Sequence, residues 1–366
     1  MNKSRIIFFV TGLDSGGIEN YLLRFLIFAK NNIKATIYTK SGLLGDLEQE
    51  YLNAGAELKP FKLGLYSVKD HLKLYMELKK GKFDALVDFT GNFAALPLLL
   101  AKTVGIPNRV VFYRGSTNHF KEDYLRVTYN NILNKIIPLV STSILSNSKA
   151  ALDFFFKGIW ENDDRFKVIY NGIDANAFLS TKDNLRKELD IPSGAFVVGH
   201  VGRYNEAKNH LTMIQVAIEL CKKYADVYFV FCGSKVVESL EKKVNQEGLS
   251  LQIKLLGYRK DIIKVLNTMD CFYFPSLTEG QPNALIEAML VGLPFVASNI
   301  NPIKETVPKI FHSQLLNPGD KNMAIEKIIK IKNNKLFAEE LNLSKWSKSN
   351  FDSEKLFNEF NKVLMK

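Results

Sequence analysis

FYFPSLTEGQPNALIEAMLVGLPFVAS, residues Phe272 to Ser298, reads as strand, loop, helix and strand. Cys271 to Phe274 is apolar and aromatic, as a buried strand requires. Pro282 suits a first helical turn, where its missing N–H would go unpaired anyway, and Gly292 and Pro294 mark the exit. A helix is therefore expected roughly from Pro282 to Val291. Glu279 precedes it and Glu287 lies inside it, so both carboxylates can face one crevice at the carboxyl ends of the strands. Two acceptors there suit a ligand rich in hydroxyls. The helix dipole by itself accounts for an acid ahead of a helix. Glu287 is different: it stands between Ile286 and Ala288 on a nearly all-apolar helix, where an unpaired carboxylate is costly, so a partner or ligand is expected.

Outward from this stretch, 366 residues suffice for two domains with separate cores. The composition, 46% hydrophobic and 24% charged, is that of an ordinary globular protein. The formal charge of +11 comes from scattered lysines and arginines without a dense basic cluster. Nucleic-acid binding is not expected, and weak peripheral contact with an acidic membrane is the most the charge implies. Cys221, Cys232 and Cys271 are odd in number, sit in apolar segments and lack metal-ligand spacing, so they read as core thiols in a reducing cytoplasm. The run Ile6 to Val10 is too short for a signal sequence, and Phe93 to Ala101, interrupted by Pro97, cannot span a bilayer.

Along the chain, apolar runs at Ile6 to Val10, Ala35 to Thr39, Ala85 to Phe89 and Arg109 to Tyr113 alternate with helical patterns at Ile18 to Ala29, Leu44 to Ala54, Val68 to Lys80 and Phe93 to Val104. The alternation repeats after Pro192, with strands at Phe196 to Val201, Val227 to Cys232 and Ile253 to Leu256, and helices near Leu211 to Lys223 and Val236 to Gln246. Two Rossmann-like α/β domains follow, each an open parallel sheet wrapped by helices. Polar and Pro/Gly-containing sequence from Asp174 to Pro192 marks the linker. The expected division is 1–180, 181–350, and a C-terminal helix at 351–366. Its amphipathic part, Ser353 to Leu364, turns Leu356, Phe357, Phe360, Val363 and Leu364 to one face for burial against the protein.

Three further segments carry candidate chemistry. Thr11-Gly-Leu-Asp-Ser-Gly16-Gly17-Ile-Glu19 is a glycine-rich turn into a helix, whose open N–H groups make an anion site. It is not a P-loop, since Ile18 rather than Lys-Ser/Thr follows Gly17, and it lacks the G-x-G-x-x-G fingerprint. Val198-Gly-His-Val-Gly202-Arg203-Tyr-Asn-Glu-Ala-Lys208-Asn-His210 places two cations at a strand's carboxyl end, where a diphosphate collects both. Arg109 to His119 ends a strand with polar side chains; His119 is a candidate base, with a locally bonded loop histidine an equally good account.

Glu279-Gly-Gln-Pro-Asn-Ala-Leu-Ile-Glu287 resembles the E-x7-E motif of retaining glycosyltransferases of the GT-B type, family four (glycosyl transferases group 1), and the flanking Pro275-Ser276 and Gly292-Leu-Pro294 match as well. Gly202-Arg203-x4-Lys208-Asn209 is similar to that family's G-R-x4-K signature, Gly16-Gly17-Ile-Glu19 to its Gly-Gly-x-Glu segment, and Asn171-Gly-Ile-Asp174 to the turn before its linker. Where relatives carry histidine after the strand, this chain has Tyr113-Arg114, which leaves the acceptor side open. The resemblance implies two domains facing each other across a cleft. It also implies that Arg203 and Lys208 hold the donor diphosphate, that Glu279 meets donor-sugar hydroxyls, and that Glu287 meets the ribose. Gly16, Gly17, Gly202, Gly280, Gln281, Pro282, Asn283 and Ala284 line the donor, and Tyr258 and Arg259 lie near the base. Arg203, Lys208, Glu279 and His119 are the catalytic candidates. No metal ligand or cofactor is implied beyond a nucleotide-sugar co-substrate, with UDP favoured, and the acceptor is a glycan or lipid-linked hydroxyl in bacterial surface polysaccharide assembly. The competing readings are a nucleotide-sugar epimerase on a similar scaffold and a non-catalytic sugar or nucleotide binder.

Overall fold

The computed structural model describes residues 3–64, 67–117, 124–333 and 342–366. The chain divides into two compact units, one of Met1–Gly172 with Ser353–Lys366 and one of Ile173–Asp352. The expected boundary at 180/181 lies eight residues late. Ile173 already belongs to the second unit, because its N–H donates to the Phe351 carbonyl at 3.0 Å and it bridges Asp352.

In the first unit the elements alternate as β1 (Ser4–Val10), α1 (Gly17–Ala29), β2 (Ile33–Thr39), α2 (Glu48–Asn53), β3 (Glu57–Pro60), α3 (Val68–Gly81), β4 (Ala85–Asp88), α4 (Ala95–Thr103), β5 (Asn108–Tyr113), α5 (Tyr124–Val140), β6 (Ser143–Ser146), α6 (Lys149–Phe156) and β7 (Phe166–Val168). The seven strands are all parallel, in the order β3-β2-β1-β4-β5-β6-β7. Ile6 to Val10 are completely buried because helices cover both sheet faces, which is why the strand reads as a continuous apolar run. Ile6, Phe8 and Val10 enter one core with α1, α2 and the terminal helix Ser353–Leu364, while Ile7 and Phe9 enter the other with α3 to α6. Sequence reasoning missed β3 and β6, together with α5 and α6: β3 is Glu-Leu-Lys-Pro and β6 is Ser-Ile-Leu-Ser, four residues each without the continuous apolar run that marks the equally short β4 and β11.

The second unit runs α7 (Ala175–Leu179), β8 (Phe196–Val201), α8 (His210–Lys223), β9 (Val227–Cys232), α9 (Val236–Gln246), β10 (Ile253–Leu256), α10 (Ile262–Asn267), β11 (Cys271–Phe274), α11 (Asn283–Leu290), β12 (Phe295–Ala297), α12 (Asn301–Thr306), α13 (Lys321–Asn333) and α14 (Leu343–Phe351). Its five parallel strands are ordered β10-β9-β8-β11-β12. The direction of winding reverses between β8 and β11, and ligands of such sheets sit outside the carboxyl ends of the strands at that switch. The loops after those two strands carry Arg203-x4-Lys208 and Glu279, and Glu287 follows in α11. Helix α11 starts one residue later than expected: Pro282, at φ −81° and ψ 77°, is its N-cap rather than its first helical residue.

Candidate donor site in the second unit

The loop after β8 is held against the loop after β9. Gly202 N–H donates to the Cys232 carbonyl at 2.8 Å, and Tyr204 N–H to that of Ser234 at 2.9 Å. A side chain at Gly233 would strike the Gly202 carbonyl, and one at Gly202 would press on the His200 ring. Beyond this clamp Arg203 stands exposed and makes no ion pair with any described residue. The chain then forms a 3₁₀ turn, Glu206–Lys208, capped by the Asn205 side chain, which accepts the Lys208 N–H at 3.0 Å.

Asn209 joins this turn to the loop after β11. At φ 60° it adopts the left-handed conformation that asparagine tolerates. Its Nδ2 donates to the carbonyls of Pro275 at 3.2 Å and Pro318 at 2.9 Å, while its Oδ1 accepts from Thr212 Oγ1 at 2.8 Å. Leu277 N–H donates to the Ala207 carbonyl at 2.8 Å. The two loops are thus stitched together, and Lys208 Nζ reaches Glu279 Oε1 at 2.6 Å. The Glu279 side chain is only 8% exposed and that of Lys208 20%, with the ammonium 5.1 Å from the Phe274 ring centroid. A pair this dry repays its desolvation only with good geometry, and removing either partner strands the other charge.

Glu287 is half-buried among the buried Leu285, Ile286 and Ala288. The Asn283 amide is turned back onto the Gln281 carbonyl at 3.0 Å. Tyr258 is exposed. Arg259 has its guanidinium occupied: Nε and Nη2 donate to Asp261 at 2.8 Å each and Nη1 to Glu188 at 2.9 Å. These carboxylates, Asp261 first, raise its pKa and hold it as a brace of its own loop.

Sequence reasoning missed a pair of buried histidines beneath the Arg203 loop. His200 is completely buried and His210 almost so, with ring centroids 5.2 Å apart and planes perpendicular. His200 packs against both Phe272 and Phe274, its Nδ1 3.0 Å from the Tyr273 carbonyl, so that nitrogen carries the proton. Burial, then the neighbouring His210 and Lys208, pushes the His200 pKa well below the usual value; His210 is pushed down to about 4, chiefly by burial. Two histidines in apolar runs looked like ordinary strand and helix residues, and only the 200/210 juxtaposition reveals them. Because both pKa values are depressed on folding, their contribution to stability is complete above about pH 6.5 and is lost as pH falls, that of His210 down to about pH 4. At about pH 5 a shift of the His210 size costs about 2 kcal/mol. Chemical denaturation near pH 7.5 and near pH 5 is expected to show a drop that shrinks by about that amount in His210→Phe; an unchanged drop would assign the acid sensitivity elsewhere.

In the first unit, α1 begins at Gly17 with Gly16 as N-cap at φ −149°, an ordinary extended conformation. A side chain at Gly17 would meet open space, whereas one at Gly16 would meet the Glu19 carboxylate. Arg114 lies over Tyr21, 4.0 Å from its ring centroid, and over Phe112 at 4.8 Å; burial lowers its pKa to about 10. His119 lies outside the described residues. Across β2 and β4, Lys40 Nζ donates to Asp88 Oδ2 at 2.6 Å and to Thr90 Oγ1 at 2.7 Å, a buried ion pair at the carboxyl ends of the strands. The three cysteines are free and buried, as core thiols should be, and burial raises each thiol pKa. Among the described residues, no cluster of three or more His, Cys, Asp or Glu side chains could hold a metal ion, and no helix is long and apolar enough to cross a membrane.

Residues 181–348, nearly the whole of the second unit, match the family model described as Glycosyl transferases group 1, so the chain carries that domain and is a glycosyltransferase. It is 27% identical to the capsular polysaccharide biosynthesis glycosyltransferase CapH of Staphylococcus aureus, over 81% of either chain. It is likewise 27% identical to the UDP-Gal:alpha-D-GlcNAc-diphosphoundecaprenol alpha-1,3-galactosyltransferase of Escherichia coli, over 74% of this chain and 71% of that one. The crystal structure of Anabaena Alr3699/HepE in complex with UDP and glucose superposes with a TM-score of 0.81 at 20% identity, covering 99% of each chain, which establishes the GT-B fold.

Proposed function

We propose that this protein transfers a sugar, with retention at the anomeric carbon, from a UDP-linked donor to a hydroxyl of a glycan or lipid-linked acceptor. It would do so at the inner face of the membrane, in bacterial surface polysaccharide assembly. The observation that carries this reading is the 2.6 Å Lys208–Glu279 contact, which joins the R-x4-K and E-x7-E segments at the switch of the second sheet. Breaking the glycosidic bond puts negative charge on the departing diphosphate. The exposed Arg203 and the neighbouring Lys208 are assigned to its neutralisation, the kind of fixed electrostatic term that dominates many enzymatic reactions. In this scheme Glu279 holds Lys208 in place before the donor arrives and then meets donor-sugar hydroxyls, while Glu287 meets the ribose. A leaving-group oxygen takes the acceptor proton on the same face, so no protein base is assigned. Support for UDP comes from HepE, which was crystallised with it, and from the E. coli galactosyltransferase, whose name states a UDP-Gal donor and a diphosphoundecaprenol-linked acceptor.

The test is thermal unfolding with UDP, GDP, ADP and CMP in turn, since a ligand that binds only the folded state raises its melting temperature. UDP alone is expected to do so, by about 2.7 kcal/mol of stabilisation at a hundredfold excess over Kd, and Glu287→Ala is expected to abolish the shift. A shift with another nucleotide would reassign the donor, and none with any would remove the donor-site assignment.

A further inference from the structure

The outer side of the α3–α4–α5 layer in the first unit has an unusual surface. Helix α3 buries Leu74 and Leu78 against the sheet and turns Val68, Leu72 and Met76, at successive i, i+4 positions, out to solvent with 73%, 58% and 54% exposure. Lys69, Lys73, Lys79 and Lys80 are exposed with them. At 100° per residue these seven side chains fall within one arc of less than half the helix circumference. The two acids of α3 lie outside that arc and are engaged: Asp70 accepts the Gly64 N–H at 3.0 Å, and Glu77 accepts the Tyr38 hydroxyl at 3.4 Å. Helix α4 packs against both α3 and α5. It adds Leu99 and Lys102, whose Nζ donates to the Leu139 carbonyl at 2.9 Å. Helix α5 contains no acidic residue and exposes Ile132, Leu139 and Lys135. At the end of α3 the chain passes through Lys82 into an open groove of about 940 Å³ that Lys3, Arg5, Lys30 and Lys34 also line, with Asp84 as its one acid.

We propose that this face docks on the surface of an anionic phospholipid bilayer. Protein interfaces are depleted in lysine at their centres, whereas a helix lying in the headgroup region combines large apolar side chains with lysines whose stems reach up to the phosphates. The interleaved Leu72, Met76, Lys69, Lys73 and Lys80 have that second composition, and the lysine-lined groove extends the positive field beyond the helix. The assignment rests on the lipid-linked acceptor reading only for its purpose, because vesicle binding is measured without turnover.

The full-length protein is mixed with phosphatidylcholine vesicles containing either no phosphatidylglycerol or about one third of it, and floated through a density step. Wild type is expected to float with the anionic vesicles and to stay behind with the neutral ones. Leu72→Glu combined with Met76→Glu is expected to cut the bound fraction by about tenfold or more, and Lys73→Glu combined with Lys80→Glu to do the same. Melting temperature and its response to UDP should not change in either variant, since all four side chains are exposed. Wild type that stays in solution with anionic vesicles, or a Leu72/Met76 variant that floats as well as wild type, would overturn the proposal. So would a concentration-dependent dimer that the Leu72/Met76 variant abolishes, which would make this face a contact between two copies. Loss of the UDP shift with flotation intact would instead count against the donor site alone.

Discussion

Arg203→Ala is expected to lower kcat/KM about a hundred- to a thousandfold, the loss usual when one preorganised donor to a developing anion is removed. The same variant should unfold within about 0.5 kcal/mol of wild type, because Arg203 is exposed and makes no ion pair with any described residue. The separation of the two readouts is the point. Lys208→Ala cannot provide it, since it leaves the 8%-exposed Glu279 carboxylate without its cation and costs about 3–5 kcal/mol of stability along with activity. Arg203→Lys should recover only part of the rate, as a lysine keeps the charge but not the forked geometry that grips a diphosphate. Steady-state rates with sugar donors of the nucleotide identified by thermal shift, beside a denaturant titration, decide the matter. Unchanged turnover in Arg203→Ala would end the role assigned to it.

Phe360→Ala is expected to destabilise the first unit by about 3–5 kcal/mol. Phe360 is completely buried, with its ring centroid 4.6 Å from Phe25, 5.5 Å from Phe112, 6.0 Å from Tyr21 and 6.3 Å from Phe89. Four aromatic neighbours, two from α1, one from β5 and one directly after β4, cannot all collapse into the vacated volume, so most of the cavity cost persists. Only the last helix supplies Phe357, Phe360, Val363 and Leu364 to this core, which makes the end of the chain an integral part of the first unit. Calorimetry is expected to show one transition moved down by on the order of 10 °C, with the UDP response of the second unit retained. A shift of only a degree or two would mean that the terminal helix is dispensable to that core.

The parts of this protein visible in its sequence share a physical cause: they are local. Strands β1 and β9 show themselves as apolar runs because both faces of each sheet are covered. Helix α11 announces itself through Pro282 and Gly292, and the terminal helix through an apolar face repeated every three or four residues. The spacings Arg203-x4-Lys208 and Glu279-x7-Glu287 are likewise local, and with the alternation of strands and helices they determined the class of fold and the residues on which donor chemistry is proposed. What lies between elements distant in sequence had to await the tertiary structure. Arg259 has its guanidinium engaged by Asp261, two residues on, and by Glu188, 71 positions away. His200 and His210 become a coupled, uncharged pair only when β8 and α8 fold together beneath the Gly202 loop. Short β3 and β6 exist because neighbouring strands satisfy their backbone groups. Lys208 and Glu279, separated by 71 positions, meet because the winding of the sheet reverses between β8 and β11 and Asn209 ties the two following loops together. An ion pair is a property of distance in space, and residue spacing along one segment carries no information about how close another segment will come.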